Sequence, residues 1–263
     1  MIVRWNSAAG VMAFVMVVLI GGSRAAAAIG PETLVTVAQL SYDGMWDPRP
    51  SSADVLAGEL RARTSMDVRL RRDVKAVMDP GLFGRPILFL VGDGRFRFQA
   101  EERVRLRKWI EAGGFLVVDN AARGQPSTAF DASLRAELDA MFPGRSLQKI
   151  PPQHVLYRTF YVLDFPAGRA IHRTFLEGLF LDDRIAVVYS QNDLFGALDR
   201  DASGAYSFDV VPGGETQRER AIRLAVNLVQ YAIGLDYKDD QVHTDYLIHQ
   251  RRWRAGPPKV ESP

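Results

Sequence analysis

The chemistry open to this 263-residue chain starts from aspartates that stand just past apolar runs. Asp43 and Asp47 lie in Ser41-Tyr-Asp-Gly-Met-Trp-Asp-Pro-Arg49, and Asp93 lies in Gly92-Asp-Gly-Arg95. Asp119 lies in Val118-Asp-Asn-Ala121, and Asp193 closes Ser190-Gln-Asn-Asp193. Trp46, Arg49, Arg95, Arg97, Asn120, Arg123 and Asn192 accompany them. Carboxylates with an asparagine oxygen suit a hard cation such as calcium or magnesium. A carboxylate pair suits acid–base hydrolysis of the glycosidase kind. Aspartate, arginine, asparagine and tryptophan together also suit hydrogen bonding and stacking on a polyol or sugar without turnover. Asp93, Asp119 and His154 are the candidates for proton transfer. No D-x-D-x-D-G loop or H-E-x-x-H helix occurs, so neither metal nor other cofactor is assigned.

Plainer roles compete at each position. Asp43 and Asp93 neighbour glycines, as turn-stabilising aspartates do. Asp119 can cap the following segment or pair with Arg95, and Trp46 can plug the sheet edge. His154, after Pro151-Pro152, has the setting of an ordinary loop histidine, and His243 beside Asp239 and Asp240 that of a polar tail contact. Ser190 lacks the G-x-S-x-G context of a nucleophile. Gly92-Asp-Gly-Arg95 is too short and acidic for a phosphate-binding loop.

For residues so far apart to act together, strands must deliver them to one edge. Residues 86–123 hold the clearest unit: an apolar run at 87–91, a charged helical stretch, Gly113-Gly114, and a second apolar run at 115–118. Unalternating apolar runs suit parallel strands covered on both faces. Glu101 and Glu102 in the first helical turn and Lys108 near the last favour the helix dipole. Val104, Trp109 and Ile110 form the expected inward stripe, with Arg103, Arg105 and Arg107 on the wet side. Either glycine suits the left-handed residue that ends a helix. In an open α/β sheet, ligands bind outside the carboxyl ends of the strands near the topological switch. The loops at 42–49, 92–97, 119–123 and 190–193 would line that crevice.

Other elements follow in order. Residues 34–40 read as a strand, 53–63 as a helix capped by Ser51 or Ser52 with Val55, Leu56 and Leu60 inward, and 67–70 as a short edge strand. A helix is expected over 131–141, irregular chain over 145–184, and a strand over 185–189. Thr216-Gln-Arg-Glu219 reads as a capping box opening a helix with Ile222, Ala225, Val226, Val229 and Ile233 inward, ended by Gly234. A polar tail, 236–263, follows.

The amino terminus reads as an export signal over 1–28: Arg4, an apolar core at 11–20, then Arg24 and four alanines. That core is short against the ~20 residues that span a bilayer, so no membrane span is expected after cleavage. Of 33 Lys and Arg, two lie in this segment, so 31 face the 31 Asp and Glu of the remainder. Such neutrality argues against a nucleic-acid partner. The absence of cysteine excludes disulfides, thiolate metal sites and cysteine nucleophiles. Residues 29–235 suffice for one α/β domain.

Taken together, YDGMWDPRP, LFLVGDGRFRF, EAGGFLVVDNA, YSQNDL and YKDDQVHTDYL resemble the bacterial family catalogued as domain of unknown function 4159. More distantly, the strand, acidic helix, Gly-Gly and second strand resemble the class I glutamine amidotransferase-like superfamily, including ThuA-like proteins. That resemblance implies a flavodoxin-like, doubly wound, mostly parallel sheet with helices on both faces. It cannot carry the thiol chemistry: the turn that holds the cysteine there corresponds to Asp119-Asn120-Ala121 here.

The expectation is a periplasmic or secreted binding or accessory module for an envelope protein or small polar ligand. The alternative is a hydrolase using rim carboxylates, with or without a metal. Expressed in a bacterium, the chain should be recovered outside the cytoplasm with its first residue near Ile29; an intact Met1 in the recovered protein, by mass spectrometry, would overturn the export assignment.

Overall fold

In the computed structural model, which describes residues 34–254 and side chains for 34–234, the elements alternate for most of the chain. They are β1 (Val35–Ser41), α1 (Ser52–Arg63), β2 (Val68–Ala76), β3 (Ile87–Gly92), α2 (Ala100–Glu111), β4 (Phe115–Asn120), α3 (Thr128–Met141), β5 (Gln148–Lys149), β6 (Glu177–Leu181), β7 (Arg184–Ser190) and α4 (Gly214–Arg254). Short 3-10 turns lie at Pro80–Gly84, Val155–Arg158 and Phe195–Ala197. The strands form one mixed seven-stranded sheet in the order β2-β1-β3-β4-β7-β6-β5. The strands from β2 to β7 in that order are parallel, and β6 and β5 are antiparallel additions.

The lack of alternation in β3 and β4 has a direct cause. Phe89, Val91 and Val117 pack with Leu56 and Leu60 of α1 and Val226 and Val229 of α4. Their neighbours Leu88, Leu90, Leu116 and Val118 pack with Leu106 and Trp109 of α2 and Phe130 and Leu134 of α3. Every position therefore loses contact with water, each large apolar side chain contributing roughly 1.5–3 kcal/mol of burial.

Helix α2 differs from expectation at one position. Leu106, Trp109 and Ile110 form its buried stripe, while Val104 is 54% exposed. The spacing i, i+3, i+4 places those three together, whereas Val104 lies about 200° around the helix from Leu106. Glu102 closes the first turn by accepting from Gln99 N at 2.8 Å. Gly113, at φ +109°, ends the helix in a conformation that favours glycine.

Other elements also differ from expectation. β2 occupies the expected edge but runs to Ala76, its charged side chains tolerated because one side of an edge strand is wet. Residues 145–184, expected to be irregular, contain β5 and β6. Leu181 pairs with Arg184 across Asp182-Asp183, with Asp182 at φ +53°, so a tight hairpin joins β6 to β7. Helix α4 starts at Gly214, where Gln217 Oε1 accepts from Gly213 N at 3.0 Å. Glu219 pairs instead with Arg63 and Arg223, at 2.7 and 2.8 Å, so the expected capping box is replaced by ion pairs. Nor does α4 stop at Gly234; it continues to Arg254, since one interior glycine costs only ~1 kcal/mol. The expected signal at 1–28 and the last residues of the tail lie outside the described residues, as does the side chain of His243.

The end of β3 is sterically closed. A Cβ on Gly92 would lie 2.0 Å from the Tyr42 hydroxyl and 2.6 Å from the Phe130 ring. The same hydroxyl donates to Val91 O at 3.0 Å. Gly92→Ala should therefore cost about 1–3 kcal/mol in urea unfolding, and an unchanged midpoint would show that Tyr42 yields freely.

Candidate functional site

Parallel pairing brings the carboxyl ends of the central strands into register: Val91 with Asp119, Gly92 with Asn120, and Asp119 with Ser190. Consecutive strand residues point to opposite faces, so the edge is divided. Asp119 lies on the α1/α4 side and Asn120 on the α2/α3 side.

On the first side the polar groups are buried together. Asp119 is fully buried, and its two oxygens accept from Leu194 N and Phe195 N at 2.8 Å each. Asp193, at φ +51°, turns the chain out of β7 into the 3-10 turn and accepts from Gly196 N at 3.0 Å. Its carboxylate also takes Arg49 Nε and Nη2, at 3.1 and 2.8 Å, and Arg169 Nε. Arg49 Nη2 donates onward to Ala121 O at 2.6 Å, and Arg169 Nη2 to Ala122 O at 3.2 Å and Arg123 O at 2.5 Å. The guanidiniums of Arg49, Arg123 and Arg169 surround the Phe208 ring at 4.4, 5.5 and 5.9 Å. Removing one partner of so buried a pair costs about 3–5 kcal/mol, because the other is left uncompensated.

Burial, with the charge of Asp193 next, pushes Asp119 up to about 7, against the pull of the Phe195 and Leu194 amides and the Ser190 hydroxyl. His172 lies over the same edge. Its backbone N–H donates to Asn192 Oδ1 at 2.9 Å, and its Nε2 is buried without a hydrogen-bond partner among the described residues. Burial holds its imidazole below the usual value, with Arg169 and Arg173 adding to the effect and the Gly124 carbonyl and Asp193 opposing it.

The two asparagines are structural brackets. Asn120 donates to Ser127 O and Tyr189 Oη, at 3.0 and 3.1 Å, and accepts from Ser127 N at 3.0 Å, fixing the start of α3. Asn192 donates to Pro166 O and Arg173 O, at 3.0 and 2.7 Å, and accepts from the amides of His172 and Arg173. Both side-chain N–H donors of each are thus spent within the protein, as are both acceptor sites of Asn192 and one of Asn120.

The remaining candidates separate. Asp47 forms a bidentate pair with Arg72 of β2 at 2.6 and 2.9 Å, and the Arg72 guanidinium lies 5.8 Å from the half-buried Trp46 ring. These two belong to the β1/β2 edge. Asp43 is exposed, and Asp93 is half-buried near Tyr42, whose hydroxyl is held well above its ordinary pKa by burial and then by Asp93. Arg95 is exposed beside a groove of about 480 Å³ between α2 and α3, and Asp119 accepts from backbone amides rather than pairing with it. His154 lies elsewhere. Its ring centroid is 5.8 Å from that of Tyr231, which in turn stacks on Phe115 at the opposite, amino end of β4. His154 Nδ1 accepts from Leu156 N at 3.1 Å, so it caps a turn.

Arg169, His172, Arg173 and Phe208 were not singled out from sequence. The available signal was the basic Gly168-Arg-Ala-Ile-His-Arg173, which has no strand or helix period. A Cβ on Gly168 would lie 2.1 Å from Asn192 O, so this loop packs directly on the carboxyl edge. Among the described residues no three His, Asp or Glu side chains converge as a cation site. What the edge offers is buried, paired charge, with Arg123 and Arg173 exposed at its surface.

A pH dependence follows from Asp119. Its folded value, about 7, exceeds the ordinary 3.8, so the folded protein binds the extra proton between them. The stability this contributes is full below about pH 4 and is lost as pH rises through 7. Asp79, Asp201 and Glu219 are shifted down and act in the opposite sense, but they are common to wild type and variant. The stability of wild type minus that of Asp119→Asn should therefore fall between pH 4 and 8, by on the order of a few kcal/mol. A constant difference across paired urea titrations would refute a raised Asp119.

The chain matches no curated protein. Residues 36–233, spanning the whole parallel sheet and the edge just described, match the family described as Domain of unknown function (DUF4159), and the chain belongs to that family.

Proposed function

We propose that this chain is an exported binding or accessory module of the cell envelope, on a flavodoxin-like, doubly wound sheet of the glutamine amidotransferase-like type. The order β2-β1-β3-β4-β7 supports that fold, since it follows the 2-1-3-4-5 winding of the class. So does the division of apolar contacts between α1 with α4 on one side and α2 with α3 on the other. Export rests on the amino-terminal sequence and on the neutral, cysteine-free remainder.

One observation carries the module reading. At the carboxyl end of β4, beside the turn where the amidotransferase-like enzymes hold a nucleophile, Asp119 has both oxygens bonded to backbone amides and no solvent exposure. Asp193, its buried acidic neighbour, is held by two arginines. Neither has a free oxygen facing a substrate, and a general acid or base must reach the proton it moves. The hydrolase alternative keeps one point in its favour, an acid at about 7 in the range that general catalysis uses.

Turnover assays on glycoside, ester, amide and phosphoester panels, with and without calcium, magnesium, manganese or zinc, separate the two. The module predicts no rate above the buffer blank. A rate lost in folded Asp93→Asn or Asp119→Asn protein would replace it with the hydrolase.

A further inference from the structure

We infer that Arg123, His172 and Arg173, on the loops over the carboxyl edge, form a binding site for the oxyanion group of a small ligand, a carboxylate or a phosphate or sulfate ester. The inference deepens the module reading and rests on it. Its first support is a charge imbalance. Arg49, Arg123, Arg169 and Arg173 gather where Asp193 already serves Arg49 and Arg169, Asp119 is bonded to backbone amides and buried Asp199 accepts from Ser51. Arg123 lies against Phe208, and Arg173 Nη1 reaches only the His172 carbonyl, at 3.2 Å. Neither has a carboxylate partner among the described residues, and both are exposed. Guanidinium is the side-chain group best shaped for planar oxyanions.

The second support is independent of charge. His172 Nε2 is a buried polar atom without a hydrogen-bond partner among the described residues, and such atoms are rare enough to call for an explanation. The loops that carry these groups are already tied together. Arg169 bonds the carbonyls of Ala122 and Arg123 while its own amide donates to Asp193 O at 3.0 Å, and Asn192 holds the amides of His172 and Arg173. The site is thus held in place before a ligand arrives, which limits the ordering cost of binding. An oxyanion near His172 would offset the charges of Arg169 and Arg173 that, with burial, oppose its protonation. The imidazolium would then donate from Nε2, and binding would take up a proton.

Sulfate is the suitable probe, because its charge is constant from pH 5.5 to 8. Calorimetric titration of the full chain at fixed ionic strength should give saturable binding. Affinity should weaken severalfold as pH rises over that range, because binding takes up the His172 proton. Arg123→Ala and Arg173→Ala should each weaken it about tenfold or more, with unchanged thermal midpoints because both side chains are exposed. His172→Gln should bind with a flat pH profile. Acetate and methyl phosphate, compared at one pH, distinguish a carboxylate from a phosphate ligand. Absence of saturable binding, undiminished affinity in both folded arginine variants, or a flat wild-type profile would each overturn the site. Those outcomes leave the turnover assays to decide the module reading separately.

Discussion

The carboxylate of Asp193 between the guanidiniums of Arg49 and Arg169 is the interaction on which the carboxyl edge depends. Each group lies on a different stretch of chain: the loop after β1, the loop before β6 and the turn after β7. Desolvating three charges is costly unless each is paired and its remaining hydrogen-bond capacity filled. Here the carbonyls of Pro48, Ala121, Ala122 and Arg123 fill it, which also joins the loop after β4 to the others. The cluster closes loops that the sheet alone would leave independent.

That constraint organises its neighbours. With Asp193 held at φ +51°, the next two amides are presented to Asp119, which has no other means of compensating its burial than those amides and Ser190. Ser51 and Ser52, at the start of α1, bond Asp199 and the Phe195 carbonyl, so the 3-10 turn is bound from a second side. Arg218 of α4 reaches the carbonyls of Ala197 and Phe208, completing the enclosure. The outcome is an edge rich in acids but poor in accessible ones. The loops over it expose Arg123 and Arg173, which suits the proposed recognition of an anion.

Much of the architecture was legible because it rests on local signals. The apolar runs of β3 and β4, the acidic first turn of α2 and the glycines after it specify a strand–helix–strand unit by period and capping alone. β6 was not legible: Glu177–Leu181 is short and becomes a strand only by pairing with β7 through the Asp182 turn. Val104 and Gly234 show the same limit. An apolar residue need not face the core, and a glycine need not end a helix, when neighbouring positions decide the outcome.

For the candidate site, sequence by itself determined the α/β class, the absence of thiol chemistry and the acidic character of the loops. The parallel strands then carried Asp93, Asp119 and Asp193 to one edge. Only tertiary structure decided which carboxylates meet water. It buried Asp119 and Asp193 against amides and arginines, gave Asp47 to Arg72, left His154 at the other end of the sheet, and brought in Arg169, His172 and Phe208. The reason is physical. A strand's period and caps are properties of consecutive residues, whereas the partner of a buried charge is set by three-dimensional proximity between residues such as Arg49 and Asp193, which are 144 positions apart.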